Sequence, residues 1–165
     1  MQTQHSQTSQ TQASAEAALF GPREAELNLL HALKKNVEMG KQALDHILKK
    51  TGQEEFRALL LRHYESFEHM AVRLTERLTE LGETPKNTGF WSEFMLKNGI
   101  NMNTFMDDSL SRLAELLIKG NNMGVTDINR ELNHCPDGLD PKTKELAEEI
   151  VALEQEQINE LKRYL

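Results

Sequence analysis

Residues 53 to 82 carry one long series of inward-facing positions at spacings of four and three. The series consists of Phe56, Leu60, His63, Phe67, Met70, Leu74, Leu78 and Leu81. Side chains at these spacings lie on one face of an α-helix, and such a face is typical of the buried seam of a helix bundle. The pattern therefore predicts a long helix that packs against other helices.

Three other segments have helical patterns of similar length. We predict four helices, near residues 22–51, 53–82, 104–133 and 141–165. Each would be about 37 to 45 Å long at 1.5 Å per residue. The first two helices are joined so tightly that they have to be antiparallel neighbours. The sequence thus predicts an all-α, antiparallel four-helix bundle over residues 21–165, with one long crossover, residues 83 to 103, between helices two and three.

Local signals mark the start of each predicted helix. They are Gly21 with Pro22, Thr51 with Glu54, Thr104 with Asp107, and Asp140 with Pro141. Proline suits the first helical position because the N–H that it lacks would have no partner there. Hydroxyl and carboxylate side chains can cap the first free N–H groups.

The segment KGNNMG, residues 119–124, is unusual inside a predicted helix. Gly120 and Gly124 should each weaken the helix by about 1 kcal/mol relative to alanine. Both continue the inward series Met106, Leu110, Leu113, Leu117, Gly120, Gly124 and Ile128. We therefore expect both glycines to allow the close approach of a bulky neighbour, and we expect Gly120→Leu to overpack the core.

Composition argues against several classes of function. The formal charge is −7, and no basic cluster is dense enough for a nucleic-acid interface. Cys135 is the only cysteine, which excludes an intrachain disulfide and a thiolate zinc site. No apolar stretch approaches the roughly 20 residues of a membrane helix, and no secretory signal is present. We expect a cytoplasmic protein with no nucleic-acid partner and no membrane insertion.

Residues 1–20 form a segment of different character. MQTQHSQTSQTQAS is rich in Gln, Ser and Thr and has no apolar residue between Met1 and Ala13. Such a segment cannot contribute to a core. We predict an N-terminal tail that is flexible or that docks on a protein partner, and we expect the bundle to form a homodimer or a larger assembly.

The order of motifs along residues 22 to 165 resembles the ferritin-like superfamily, in particular small bacterial proteins of rubrerythrin type. The motifs are LNLL and VEMG in helix one, HMAVRLTERLTELG in helix two, KGNNMG in helix three and EQEQINELKRYL in helix four. The resemblance implies a ferritin-like bundle. In that family a di-iron centre is held by one Glu from each of two helices and a Glu-x-x-His pair from each of the other two.

Transferred to this chain, the resemblance implies a degenerate di-iron site. Glu38 and Glu154 match two glutamate positions, whereas the remaining ligands are replaced by Phe67, Met70, Asn121 (or the adjacent Asn122) and Gln157. Two carboxylates would leave an iron pair undercoordinated. We therefore expect no metal and no other cofactor, with iron as the alternative.

The polar residues at inward positions allow two interpretations. Glu38 and Glu154 could form a buried acid pair with raised pKa values and a shared proton. Alternatively, Asn121 and Gln157 could join both carboxyls in a hydrogen-bonded layer at mid-bundle that fixes helix register, which we favour. His63 is expected to be a core histidine that bonds to a neighbouring helix, with a role as metal ligand as the alternative.

These observations predict a non-catalytic ferritin-like bundle that acts as a binding, scaffold or assembly protein and has lost its di-iron site. No catalytic residue is assigned. One alternative is a di-iron oxidase or peroxidase that uses Glu38, His63 or His69, and Glu154 in an atypical ligand set. Another is a coat or packaging component whose N-terminal tail is the contact arm.

Overall fold

Four long α-helices make up most of the chain that the structure describes. The computed structural model describes residues 21–84, 109–135 and 138–165. Helix α1 spans Pro22–Leu48, α2 spans Glu54–Glu80, α3 spans Leu110–His134 and α4 spans Pro141–Leu161, and a 3-10 turn follows at Lys162–Tyr164. No strand occurs in these three ranges. The predicted all-α four-helix bundle is confirmed, while the predicted N-terminal tail lies outside the described residues.

Two of the predicted helix starts are confirmed residue by residue. Gly21 and Pro22 are the N-cap and first residue of α1, and Asp140 and Pro141 have the same roles in α4. The carboxylate of Asp140 accepts a hydrogen bond from the backbone N–H of Lys142. This bond satisfies one of the free N–H groups at the helix start.

The predicted cap of α2 is wrong. The side chain of Gln53, and not that of Thr51, accepts a hydrogen bond from the backbone N–H of Phe56. Thr51 is buried instead. The predicted start of helix three, Thr104 with Asp107, lies outside the described residues, and the described part of α3 begins after the N-cap Ser109.

Contacts at the two ends of the bundle fix the directions of the helices. At the lower end, where α1 begins, the carboxylate of Glu26 accepts hydrogen bonds from Arg77 near the end of α2 and Thr143 near the start of α4. At the upper end, the ring of Phe56 at the start of α2 lies 4.7 Å from the ring of Tyr164, which follows α4. Helices α1 and α4 therefore run upward, and α2 runs downward.

Helix α3 also runs downward, because a short connection joins its end to the start of α4 at the lower end. Helices α2 and α3 are thus parallel to each other. Parallel neighbours of this kind are what the predicted crossover between helices two and three implies. Residues 85–103 of the predicted crossover lie outside the described residues.

The register of the α1–α2 hairpin agrees with its short turn. The guanidinium group of Arg23 donates to the backbone oxygen of Leu81 at 2.9 Å. Farther along the hairpin, Gly40 faces the ring of Phe67. Positions whose numbers sum to about 104 are therefore nearly level, so Glu38 lies roughly opposite Ser66 and Phe67.

The core follows the predicted seam of α2 closely. Every member of that series is buried except Leu81, which is half-buried. Helix α1 buries a wider face than its sequence predicts, including Leu29, Leu33 and Ile47, because it packs against α2, α3 and α4. None of the described helices is long and apolar enough to cross a membrane.

Candidate functional site

A cavity of about 490 Å³ lies inside the bundle, mainly between α1 and α3. We call it the mid-bundle cavity. Its apolar wall comes from α1, α3 and the end of α4 and includes Leu29, Leu33, Met39, Ala43, Leu44, Leu116, Leu117, Ile128 and Leu161. The exposed residues Lys35, Asp127 and Arg130 form its rim. A volume of this size is within the roughly 300 to 1,000 Å³ of small-molecule sites.

Four residues that line the mid-bundle cavity each contain a buried polar side-chain atom that has no hydrogen-bond partner of ordinary geometry among the described residues. These atoms are Asn36 Nδ2, His63 Nδ1, Glu154 Oε2 and Gln157 Nε2. A fifth such atom, Oγ1 of Thr51, belongs to a residue that does not line this cavity. Leaving one buried polar group without a partner costs about 1 to 3 kcal/mol. Two of the four are neighbours, since the Asn36 amide and the Glu154 carboxyl lie against each other.

Glu154 is the most buried of the four residues, with 1% of its surface exposed. Burial raises the pKa of its carboxyl to about 8; the nearby Asn36 amide opposes this rise, and the charge of Asp127 adds to it. The amide lies against the carboxyl, but its Nδ2 completes no hydrogen bond of ordinary geometry. At pH 7 the carboxyl is therefore mainly protonated, and it can both donate and accept a hydrogen bond.

His63 connects the cavity to the outer face of α4. The side chain is 3% exposed, and its Nε2 lies 2.7 Å from Oε2 of Glu160, so it bonds to a neighbouring helix as the sequence predicts. This hydrogen bond lowers the pKa of Glu160, whereas burial lowers the pKa of His63 despite it. An ionised carboxylate can only accept, so Nε2 carries the hydrogen. In the neutral ring, Nδ1 is then a buried acceptor.

An amide pair joins α3 to α4 beside the cavity. Nδ2 of Asn121 donates to Oε1 of Gln157 at 3.1 Å, and both side chains are buried. This bond occupies the oxygen of Gln157, while its buried Nε2 donates to no other described residue. Asn121, Gln157 and Glu154, three members of the predicted mid-bundle polar layer, therefore line one space.

Glu38, the fourth member of the predicted layer, has other partners. Its carboxylate lies 3.5 Å from Nζ of Lys34 and 3.4 Å from Nζ of Lys41, and it does not line the cavity. Asn36 is the side chain of α1 that lies against Glu154. The side chain of α1 that faces Glu154 of α4 is therefore the Asn36 amide. The sequence analysis had placed the Glu38 carboxyl there.

Gly124 allows the close approach of α1 and α4, as predicted. An added Cβ atom there would lie 2.5 Å from Oε1 of Glu154 and 2.8 Å from Nδ2 of Asn36. The same prediction is wrong for Gly120, where an added Cβ would meet no heavy atom within 4 Å. Gly120 borders the mid-bundle cavity, so α3 faces open space at this level.

The residues at the implied di-iron positions do not fit a pair of iron ions. Phe67 and Met70 are buried in the apolar core, and the ring of Phe67 packs against Gly40. In the part of the chain that the structure describes, no three His, Cys, Asp or Glu side chains form a group that could hold a metal ion. The absence of a bound metal stays a prediction.

Asn36 is the cavity residue that the sequence analysis missed. Its signal is a second series on α1, formed by Leu29, Leu33, Asn36 and Gly40 at spacings of four, three and four. All four residues line the cavity. His69, in contrast, is exposed on α2 and does not line it.

No protein-family model, curated protein or solved structure matches this chain.

Proposed function

We propose that this chain is a non-catalytic ferritin-like bundle that acts as a binding protein, with the mid-bundle cavity as the site for a small molecule. The single observation that carries the proposal is a mainly apolar space of about 490 Å³ whose lining includes the buried polar side chains of Asn121, Glu154 and Gln157. Small-molecule sites combine a mainly apolar wall with a few convergent polar groups in this way.

The order and direction of the helices support the ferritin-like part of the proposal. Helices α1 and α4 run upward while α2 and α3 run downward, and this arrangement requires one long crossover. Ferritin-like folds contain one such connection. The sequence motifs quoted above point to the same family.

The donor set around the cavity supports binding over metal chemistry. Glu154 is the one carboxyl among its buried lining residues, whereas Asn121 and Gln157 are amides, and an iron pair needs several hard anionic ligands. These groups are well suited to hydrogen bonding with an organic molecule. The residues that line the cavity therefore support small-molecule binding better than the alternative, an iron-dependent oxidase or peroxidase.

Titration of the full chain with propylbenzene tests the binding site. This apolar probe should shift the NMR signals of Leu117 and Ile128 in a saturable way, because both line the cavity. Gly120→Phe should abolish the shift, since its ring would enter the space that borders Gly120. The matched control is Lys119→Phe, at an exposed position that does not line the cavity. Unsaturable shifts, or equal shifts in all three proteins, would contradict the proposal.

Two further measurements separate the alternatives. Protein purified without a tag should contain less than one iron, manganese or zinc ion per chain, and it should not accelerate the oxidation of added ferrous iron. Two iron ions per chain would favour the oxidase or peroxidase. A coat or packaging role predicts that removal of residues 1–15 reduces the size of the particle in solution. We expect a homodimer or larger assembly with or without this segment.

A further inference from the structure

We infer that the mid-bundle cavity binds one linear aliphatic chain, which lies parallel to the helices with its polar head group at the lower end. The inference rests on the proposed binding function and names the class of ligand. It follows from three properties of the cavity: its length, its narrowness and the position of its charged lining residues.

The register of the helices gives the levels of the lining residues. The amide of Asn36 and the carboxyl of Glu154 both approach Gly124, so these residues of α1, α4 and α3 lie at one level. Because α1 runs upward and α3 runs downward, residues of these two helices whose numbers sum to about 160 are level. The hydrogen bond from Asn121 to Gln157, three residues farther up on α3 and on α4, agrees with this register.

The cavity extends along a long stretch of the interface between α1 and α3. Its lining residues run from Leu29 to Leu44 on α1 and from Glu131 to Leu116 on α3. Each of these two sets spans about 22 Å at 1.5 Å per residue. The register places Leu29 level with Glu131 at the lower end and Leu44 level with Leu116 at the upper end. The cavity is therefore elongated along the helix axes.

The volume of the cavity shows that this long space is narrow. A cylinder of the same length with the ~10 Å diameter of an α-helix would hold roughly three and a half times the volume of about 490 Å³. The mean cross-section of the cavity is accordingly less than a third of that of a helix. Such a space suits a single unbranched hydrocarbon chain better than a bulky ring system, and its mainly apolar wall favours hydrocarbon over a hydrophilic molecule.

The distribution of charge along the cavity gives the direction of the chain. The exposed or half-buried charged residues of the lining, Lys35, Asp127, Arg130 and Glu131, all lie in its lower part. From the level of Met39 upward, no described lining residue is Asp, Glu, Lys or Arg. A polar head group at the lower end keeps its contact with water and charged side chains, whereas at the upper end it would lose both. The hydrocarbon end of the ligand therefore occupies the upper part.

Intermolecular nuclear Overhauser contacts between the full chain and 1-dodecanol test the inference. Ile128 lines the lower part of the cavity and Leu117 the upper part, about 16 Å apart on α3. Extended 1-dodecanol is about 15 Å long, because each bond of ~1.5 Å advances the chain by ~1.25 Å. The protons beside its hydroxyl should contact Ile128, and its terminal methyl group should contact Leu117. The control, 1-adamantaneethanol, has the same number of carbon atoms in a compact cage and should contact at most one of the two residues. Contacts of 1-dodecanol with one residue only, or in the reverse direction, would overturn the inference.

Two variants at opposite ends of the cavity provide a second test. Ala32→Phe near the lower end and Ala43→Phe near the upper end each fill one end and leave too little length for 1-dodecanol but enough for 1-hexanol. Each variant should weaken the binding of 1-dodecanol at least about tenfold, since two or more methylene groups lose their burial, and should leave that of 1-hexanol within about twofold. The matched control, Ala58→Phe, at an exposed position that does not line the cavity, should bind both alcohols as the unmodified protein does. Any other pattern in variants that fold would overturn the inference, and the Overhauser contacts of the unmodified protein decide if a variant fails to fold.

The probes also separate this inference from the proposed function. If propylbenzene binds at the cavity but 1-dodecanol does not bind, or does not reach both ends, the inference fails and the proposed function stands. If neither probe binds, both fail. Contacts of 1-dodecanol at both ends in the expected direction, lost in the two cavity variants and kept in their control, support both.

Discussion

Gly124 of α3 and Glu154 of α4 lie so close that an added Cβ atom on the glycine would stand 2.5 Å from Oε1 of the carboxyl. The carboxyl cannot easily move away, because Glu154 is 1% exposed and lies between α3 and the Asn36 amide of α1. The position of Glu154, and with it one wall of the mid-bundle cavity, therefore depends on the absence of a side chain at residue 124.

Gly124→Ala should destabilise the protein, whereas Gly120→Ala should stabilise it. Alanine favours the helix by about 1 kcal/mol at either position. At Gly124 this gain is outweighed by overpacking against Glu154 and Asn36, which costs about 1 to 3 kcal/mol. At Gly120 the new methyl group meets no heavy atom within 4 Å. The free energies of unfolding from urea titrations should move in opposite directions, and equal shifts would contradict this interpretation.

Gly40 and Phe67 form a second close contact, and it can be tested with a double-mutant cycle. An added Cβ on Gly40 would lie 2.7 Å from Cε2 of the Phe67 ring, which is fully buried in the core. Gly40→Ala should therefore cost about 1 to 3 kcal/mol. In a Phe67→Leu background the ring is absent, so the same substitution should cost less. If the changes in the free energy of unfolding caused by the two single substitutions add up to the change in the double variant, the two residues do not interact.

The α2 helix could be predicted from the sequence nearly residue by residue. Its inward face is mainly apolar, apart from His63 and Arg77, and meets the same core throughout, so periodicity alone identifies it. Helix α1 could not be predicted so well, because it packs against three helices and buries two adjoining faces. A single series at spacings of four and three describes only one of these faces.

The mid-bundle cavity could not be predicted from periodicity. An inward position looks the same in sequence whether it meets another side chain, as at Gly124, or open space, as at Gly120. The partner of a polar side chain is equally hidden, since Glu38 bonds to lysines on its own helix while Asn36 lies against α4. These differences arise from the three-dimensional packing of residues that are far apart in the chain.

Arg77→Met should be among the most destabilising single changes at the lower end of the bundle. The guanidinium group donates to Glu26 at 2.7 Å and to the Thr143 hydroxyl at 3.1 Å, and these three side chains are buried. Removing it leaves the Glu26 carboxylate buried without its cation, which costs about 3 to 5 kcal/mol.

The matched control for Arg77→Met is Arg112→Met, which breaks an exposed pair with Glu115 on α3. Exposed ion pairs contribute about 0 to 1 kcal/mol, so this variant should unfold at nearly the same urea concentration as the unmodified protein. Similar losses of stability in the two variants would show that the lower-end ion network contributes no more than a surface pair.

Glu154→Gln should change how stability depends on pH. The folded protein holds the proton on Glu154 up to about pH 8, whereas the unfolded chain releases it near the ordinary pKa of 4.5. Between these values unfolding releases a proton, so each rise of one pH unit should lower the free energy of unfolding by up to about 1.4 kcal/mol. The contribution of this carboxyl is fully present below pH 4.5 and is lost as the pH rises through 8. Glutamine does not titrate, so the variant lacks this slope.

Urea titrations at several pH values between 5 and 8 measure this slope as the difference between the unmodified protein and Glu154→Gln. The other titrating groups, including His63, are present in both proteins, so their contributions largely cancel in the difference. Glu156→Gln, at an exposed position of the same helix, is the matched control and should leave the slope unchanged. If the difference between the unmodified protein and Glu154→Gln is constant from pH 5 to pH 8, then Glu154 is ionised in the folded protein, and burial does not raise its pKa.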